Sequence, residues 1–280
     1  MHDSPILYLI ASPIGNLGDI SARAAATLRD APLIAAEDTR RARQLLAACG
    51  VSGKSVLSLR AHNENRAAAI LIPKILAAGS GAYLSDAGAP GISDPGARLA
   101  RAARAAGIVV SPIPGPSALT ALLSAAGAAL ETAHFFGFPP RAPGARKRFF
   151  AELPAFSGNI ILFESPLRVR DTVARLREVF GDETRAAAGR EMTKLHEQIA
   201  ALSLAEMDAA LESGAIPARG EFTLLVESAG KKPLLPGREL FAALAKELPP
   251  RKAAKIAAQF GGGAAAEYYR LHAAEKSAEK

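Results

Sequence analysis

Three stretches of this chain combine glycine, proline and short polar side chains in a way that can hold a small ligand. They are Ser12-Pro13-Ile14-Gly15-Asn16-Leu17-Gly18-Asp19, Ser85-Asp86-Ala87-Gly88-Ala89-Pro90-Gly91-Ile92-Ser93-Asp94-Pro95-Gly96, and Pro112-Ile113-Pro114-Gly115-Pro116-Ser117-Ala118. Glycine permits close backbone approach and proline fixes the shape of a loop, so three such segments together make a rigid ligand bed. Neither Gly-x-Gly-x-x-Gly nor Gly-x-x-x-x-Gly-Lys-Ser/Thr is present, which makes dinucleotide and P-loop nucleotide sites poor fits. Taken singly, each stretch also reads as a tight turn into a helix, with Ser117 near the start of a helix over 119–130 and Asp94 capping the helix that follows its own loop.

The elements that would carry these loops follow from the apolar pattern. Short, partly β-branched runs at 6–11, 33–36, 56–59, 81–84 and 108–110 each precede a helical-looking Ala/Leu/Arg segment, which predicts a parallel sheet with crossover helices. In open α/β sheets ligands bind beyond the carboxyl ends of the strands, where the three loops fall. A second set of runs at 135–138, 159–163, 185–189 and 222–227 is spaced less regularly, with helices over 167–180 and 203–213, and reads as a second α/β domain. The expected organisation is α/β throughout: an N-terminal domain over 1–118, a C-terminal domain over 119–230, and a basic linker with a helical extension over 231–280. The stretch 229–237, rich in lysine, proline and glycine, reads as the linker. Beyond it, short helices divided by Pro249-Pro250 and Gly261-Gly262-Gly263 form either a helix-turn-helix-like appendage or a helical cap on a dimer or domain surface.

Composition narrows the class. With 280 residues, 49% hydrophobic and 22% charged, the chain is a folded globular protein of about two domains. Its single cysteine, Cys49, excludes an intramolecular disulfide and any multi-thiolate metal site, and the five histidines are far apart in sequence, so no metal is implied. Cys49 and His134 read as ordinary buried or helix-end residues, and Phe135, Phe136 and Phe138 as core. The uncharged stretch 111–130 is broken by prolines and leaves about 12 apolar residues, too short to span a bilayer. The first residues lack a basic region ahead of their apolar run, so no signal peptide is expected and a cytoplasmic location is. The net charge of +7 is concentrated at the C-terminus, with local clusters at Arg40, Arg41 and Arg43, at Arg146, Lys147 and Arg148, and at Arg251, Lys252 and Lys255. Such clusters suit a polyanion or serve as a solubilising face. The middle cluster opens a helix after Pro143-Gly144, where cations oppose the helix dipole, and this favours an RNA contact there.

The segments IASPIGNLGDIS, AAEDTR, LRAHNEN, SDAGAPGISDPG, PIPGPSALTALL, FFGFPPR, LFESP, GREMTKLHE and RGEFTLLVE occur in the order and spacing of a known family. Over nearly its full length the chain resembles the ribosomal RNA small subunit methyltransferase I family of the tetrapyrrole (corrin/porphyrin) methylase superfamily. The basic tail LAKELPPRKAAKIAAQF is similar to that family's C-terminal extension. The resemblance implies two α/β domains with S-adenosylmethionine in the cleft between them, a homodimer, and methyl transfer to the ribose 2′-hydroxyl of a cytidine in 16S rRNA on the small ribosomal subunit. Two positions depart from the family pattern: Leu167 stands where histidine is usual, and Ala89 where threonine is usual before Pro90.

By the same resemblance the cofactor bed comprises Pro13, Ile14, Gly15 and Asn16, Ser85, Asp86, Ala87 and Gly88, Ser117 and Ala118, Phe163 and Glu164, and Glu221 and Phe222. On the acceptor side, Glu37-Asp38-Thr39-Arg40 and His62-Asn63-Glu64-Asn65 follow the second and third strands on the same rim. Glu37, Asp38 or His62 is expected to take or orient the hydroxyl proton, with Glu64 beside them, while Arg40 and Arg190 hold phosphates. A structural alternative stands alongside: Glu37 pairing with Arg40, and Asp38 capping the next helix. Lys194 is expected to approach from the second domain, and Arg146, Lys147, Arg148, Arg251 and Lys252 to touch RNA. Two rival functions are a small-molecule tetrapyrrole methyltransferase and a non-catalytic ribosome-binding protein.

Overall fold

The computed structural model describes residues 4–128, 132–230 and 237–278. The chain divides into two compact units, Met1–Leu153 with Gly158–Ser228, and Pro154–Ser157 with Ala229–Lys280. Apart from the end residues Ser157 and Ala229, both sheets fall within the first unit.

The first sheet contains β1 (Ile6–Ile10), β2 (Ile34–Ala36), β3 (Val56–Ser58), β4 (Ser80–Leu84) and β5 (Val109–Ile113) in the order β3-β2-β4-β1-β5. All its pairings are parallel, as the apolar runs predict. The connecting helices are α1 (Ala22–Asp30), α2 (Thr39–Ala48), α3 (Glu64–Ala78) and α4 (Ala97–Ala105). Alternate strand residues face opposite helix layers. Ile34 and Ala36 pack with Ala24 and Leu28 of α1 and Ala42 and Leu46 of α2, whereas Ala35 packs with Leu71 and Ile75 of α3 and Leu99 and Ala103 of α4. Burial on both faces is why these strands read as continuous apolar runs. From neighbouring β1 and β4 the chain leaves in opposite directions, towards β2 and β5 respectively, which makes the ends of these two strands the switch point of the sheet, where open α/β folds bind ligands.

The second sheet is mixed. It contains β6 (Ala133–Gly137), β7 (Ser157–Glu164), β8 (Arg185–Arg190), β9 (Gln198–Ser203) and β10 (Phe222–Ala229) in the order β6-β7-β10-β8-β9. β6 runs parallel to β7, while β8 is antiparallel to both β10 and β9. Its helices are α5 (Ala118–Ala125), α6 (Pro143–Glu152), α7 (Val169–Phe180) and α8 (Leu204–Ser213). α8 begins where the sequence places it, because Ser203 and Glu206 form a reciprocal capping box. β9 was not expected. It is an alanine-rich edge strand with one β-branched residue, Ile199, and that residue is exposed, so its β signal is weak.

The second unit holds α9 (Gly237–Leu244), α10 (Pro250–Gly261) and α11 (Ala265–Ala278). Pro249-Pro250 opens α10 and Gly262, at φ 75°, closes it. Phe241 stacks on Tyr268 at 5.9 Å over Ala253, Ala254 and Ala257, which makes a small core for these helices. Most of the expected linker, 231–236, lies outside the described residues.

Candidate functional site

The loops after β1 and β4 are tied together before any ligand is considered. The Ser12 amide donates to the Gly88 carbonyl and the Gly88 amide to the Ser12 carbonyl, both at 2.9 Å, while the Ser85 hydroxyl donates to Gly88 O at 2.9 Å. Gly88 has φ 70° and Gly96 φ 134°, conformations that a side chain would strain. These loops and the start of α5 form one wall of a cavity of about 390 Å³, and the second sheet supplies the opposite wall. That volume lies within the roughly 300–1,000 Å³ of small-molecule sites.

Most of the expected cofactor bed lines this cavity. Ile14, Asp86, Ala87, Gly88, Ser117 and Ala118 face it from the first wall, and Phe163, Glu164, Glu221 and Phe222 from the second. Pro13 and Ser85 line an adjoining hollow of about 430 Å³ with Asp38 and Gln44, and Arg41 and Asp86 belong to both spaces. Gly15 and Asn16 line neither. Asn16 Oδ1 accepts from the Gly18 amide at 2.9 Å, and a side chain at Gly15 would collide with that of Lys194.

The cofactor set drawn from the resemblance omitted Arg41, Met192 and Thr223, and also Ser93 and Asp94 of the second glycine and proline stretch, all of which line the cavity, and Phe138 was expected in the core. Phe138 is half exposed at the cavity, edge-on to Phe163 with ring centroids 5.6 Å apart; Phe135 meets the same ring at 4.8 Å. The aromatic run is legible in the sequence, but not the turn after β6 that brings Phe138 out of the sheet.

Two carboxylates divide the helix cap and the cavity between them. Glu64, expected beside the catalytic groups, is buried, and its Oε1 accepts from the amides of Gly96, Arg98 and Leu99 at 3.0, 2.9 and 3.0 Å. It therefore caps α4, and this oxygen is committed to the helix start. Asp94, for which that cap was the alternative to a ligand-bed role, lines the cavity. Burial first, and then the negative charges of Glu37 and Asp86, push the Asp94 carboxyl up to about 7. Glu37 is also raised, by burial and by Asp86, against the pull of Arg60 and Arg41, and its Oε2 is buried with no hydrogen bond. Asp86 Oδ1 accepts from the Asp38 amide at 2.8 Å, and Asp86 Oδ2 lies 3.7 Å from Arg41.

The other acceptor-side candidates are engaged or distant. Asp38 caps α2, accepting from the Arg40 amide at 2.8 Å and pairing with the Arg40 guanidinium at 3.2 Å, which holds its carboxyl down at about 2. Arg40 thus pairs with Asp38 and not with Glu37. His62 is exposed and lines neither hollow. Arg190, expected on phosphates, is buried and donates to the carbonyls of Arg219 at 2.9 Å and His196 at 3.0 Å, so its task is to hold the backbone. Lys194 pairs with Glu191 at 2.7 Å and Glu221 at 3.0 Å.

Arg146 is a further correction. It is buried on α6 and bonds Asp171 and Thr172 at 2.8 and 2.6 Å, with Glu164 at 3.5 Å, so it cannot touch RNA. Glu164 also accepts from Thr172 at 2.6 Å and pairs with Arg168 at 2.6 Å. Lys147 and Arg148 on the same helix are exposed, as are Arg251 and Lys252 in the second unit, where Arg251 lies over the Tyr269 ring at 5.6 Å. Leu167 is almost fully exposed between these elements of the second sheet.

A family model for Tetrapyrrole (Corrin/Porphyrin) Methylases matches residues 6–208. The ribosomal RNA small subunit methyltransferase I of Xylella fastidiosa is 41% identical over 259 residues, spanning 91% of this chain and 94% of its own length. That of Vibrio cholerae is 40% identical over 263 residues, 92% of this chain and 91% of its own. Among solved structures, a cobalt precorrin-4 methyltransferase aligns with TM-score 0.60 at 18% identity over 79% of this chain and 94% of its own. A uroporphyrin-III C-methyltransferase from Thermus thermophilus, complexed with S-adenosylhomocysteine, aligns with TM-score 0.54 at 16% identity over 80% and 98%. The structural likeness establishes the fold; the sequence matches establish that this chain belongs to the tetrapyrrole methylase family and, within it, to the ribosomal RNA small subunit methyltransferase I group.

Proposed function

We propose that this protein binds S-adenosylmethionine in the cavity between its two sheets and transfers a methyl group to the ribose 2′-hydroxyl of a cytidine in small-subunit ribosomal RNA. The observation that carries this reading is the cavity itself: rigid glycine and proline loops on one side, the ends of β7 and β10 on the other, and a volume fit for one small ligand. Its lining matches the donor chemically. Ile14, Ala118, Met192 and Phe163 offer apolar surface for a purine and a sulfur substituent, while Asp86, Ser117 and Thr223 offer polar groups for hydroxyls and an amine. When bound, the donor supplies the methyl group and a neutral sulfur leaving group. The chain's own contribution is to orient the acceptor oxygen against that methyl, which can supply roughly 7–11 kcal/mol of the barrier, and to exclude water.

The names of the relatives support RNA as the acceptor, and the exposed cations Lys147, Arg148, Arg251 and Lys252 suit a phosphate backbone. A homodimer is part of this reading, and Leu167 and Leu195, each more than nine-tenths exposed, are apolar side chains that it would cover. The site of action is the cytoplasm, where small ribosomal subunits are found; no helix among the described residues is long and apolar enough to cross a membrane. Incubating purified protein with small subunits and a labelled methyl donor tests the reading. Label at a cytidine 2′-oxygen supports it. Label only in an added tetrapyrrole, or binding without label, overturns it.

A further inference from the structure

Four carboxylates line the cavity: Asp86, Asp94, Glu164 and Glu221. Three are engaged. Asp86 holds the Asp38 amide and faces Arg41, Glu164 is enclosed by Arg146, Arg168 and Thr172, and Glu221 pairs with Lys194. Asp94 forms no hydrogen bond or ion pair among the described residues. Its loop is nevertheless fixed. Ser93 beside it has φ 62°, a left-handed conformation uncommon for a non-glycine residue, and two residues further on the Glu64 carboxylate grips the Gly96 amide. A carboxylate held rigidly at a ligand cavity, with both oxygens uncommitted, is suited to exchange a proton with a bound molecule.

We propose that Asp94 is the general base of the reaction, taking the proton of the acceptor hydroxyl. This rests on the methyltransferase reading above. The acceptor oxygen forms its bond to the methyl carbon as the carbon–sulfur bond breaks, the electron pair of that bond stays on sulfur, and the hydroxyl proton passes to the Asp94 carboxylate. The groups around Asp94 tune it. Glu37 just after β2 and Asp86 after β4 raise its proton affinity; Tyr83 of β4 and Glu64 of α3 lie in the same electrostatic neighbourhood, and Arg60 and Arg41 pull Glu37 the other way. The result is a base poised near neutral pH, and not one permanently ionised and weak. Glu64, by capping α4, is the residue that positions the loop.

The test compares wild type and Asp94→Asn in single-turnover methylation of small subunits from pH 5.5 to 9, with calorimetry of S-adenosylhomocysteine binding and a carboxyl-carbon NMR titration on the same proteins. The proposal expects the wild-type rate to rise through about pH 7 and level off, in step with a carboxyl resonance that disappears in Asp94→Asn. It expects the variant to bind S-adenosylhomocysteine like wild type, to be slower by about 10²–10⁴-fold, and to lose the acidic limb of the profile. A variant within tenfold of wild type with the same limb overturns it and passes the role to Glu37, for which Glu37→Gln is the matching probe. A variant that no longer binds S-adenosylhomocysteine also overturns it, making Asp94 a ligand-holding residue. A wild type that binds S-adenosylhomocysteine but methylates no RNA contradicts the functional reading itself, and the proposal falls with it.

Discussion

The two walls of the cavity each carry negative charge, and they treat it oppositely. On the second-sheet wall Glu164 is matched by Arg146 and Arg168 and by the hydroxyl of Thr172. On the first-sheet side Asp86 pairs with Arg41 at 3.7 Å, while nearby Glu37 and Asp94 have no ion-pair partner among the described residues, and their carboxyls are raised first by burial and then by neighbouring negative charge. A satisfied network of charges makes a wall that does not move. An unsatisfied cluster holds one group ready to change its protonation state, and the fold bears the cost.

The largest effect on this contrast should come from breaking the satisfied wall. Arg146→Ala leaves Glu164 with one buried partner fewer and should cost about 3–5 kcal/mol in urea unfolding. An unchanged midpoint would mean that the two walls do not differ. Next, Glu64→Ala strips a common acceptor from three backbone amides at the start of α4 and should cost about 1–3 kcal/mol by the same measurement.

Asp94→Asn should act in the opposite sense. The folded-state carboxyl sits near 7, above its unfolded value, so the native wild type loses stability as pH rises from about 4 to 7, while the asparagine variant does not. Its melting temperature should exceed that of wild type at pH 8 and converge on it towards pH 4. A variant less stable at every pH would contradict the strained-cluster account. The smallest stability effect belongs to Lys147→Glu with Arg148→Glu, which should stay within about 0.5 kcal/mol of wild type. That pair should instead weaken association with ribosomal subunits and flatten its dependence on salt.

The first sheet was legible in the sequence because burial on both faces writes each strand as an apolar run. β9 was not, since an exposed, alanine-rich edge writes almost nothing. The basic run 146–148 shows the limit more sharply. Three adjacent cations look alike in sequence, yet the helix turns Arg146 inward with Phe150, one turn on, and leaves Lys147 and Arg148 outside. The division of roles between Glu64 and Asp94 was illegible for another reason. A helix is ordinarily capped by a residue next to it, and here the cap comes from 32 residues earlier in the chain. Ten of the fourteen residues expected around the cofactor line the cavity, and they belong to the glycine and proline loops and strand ends whose chemistry is local. The acceptor-side candidates depended on partners brought in by the fold, and there sequence order was a poor guide.

Calorimetric titration of the purified protein with S-adenosylmethionine, repeated on Ala118→Trp, tests the central claim most directly. A saturable one-to-one isotherm that the tryptophan abolishes, in a variant with wild-type circular dichroism, is the result predicted for a donor seated in the cavity between the sheets. No heat of binding to folded wild-type protein, or an isotherm unmoved by the bulky side chain, would contradict it.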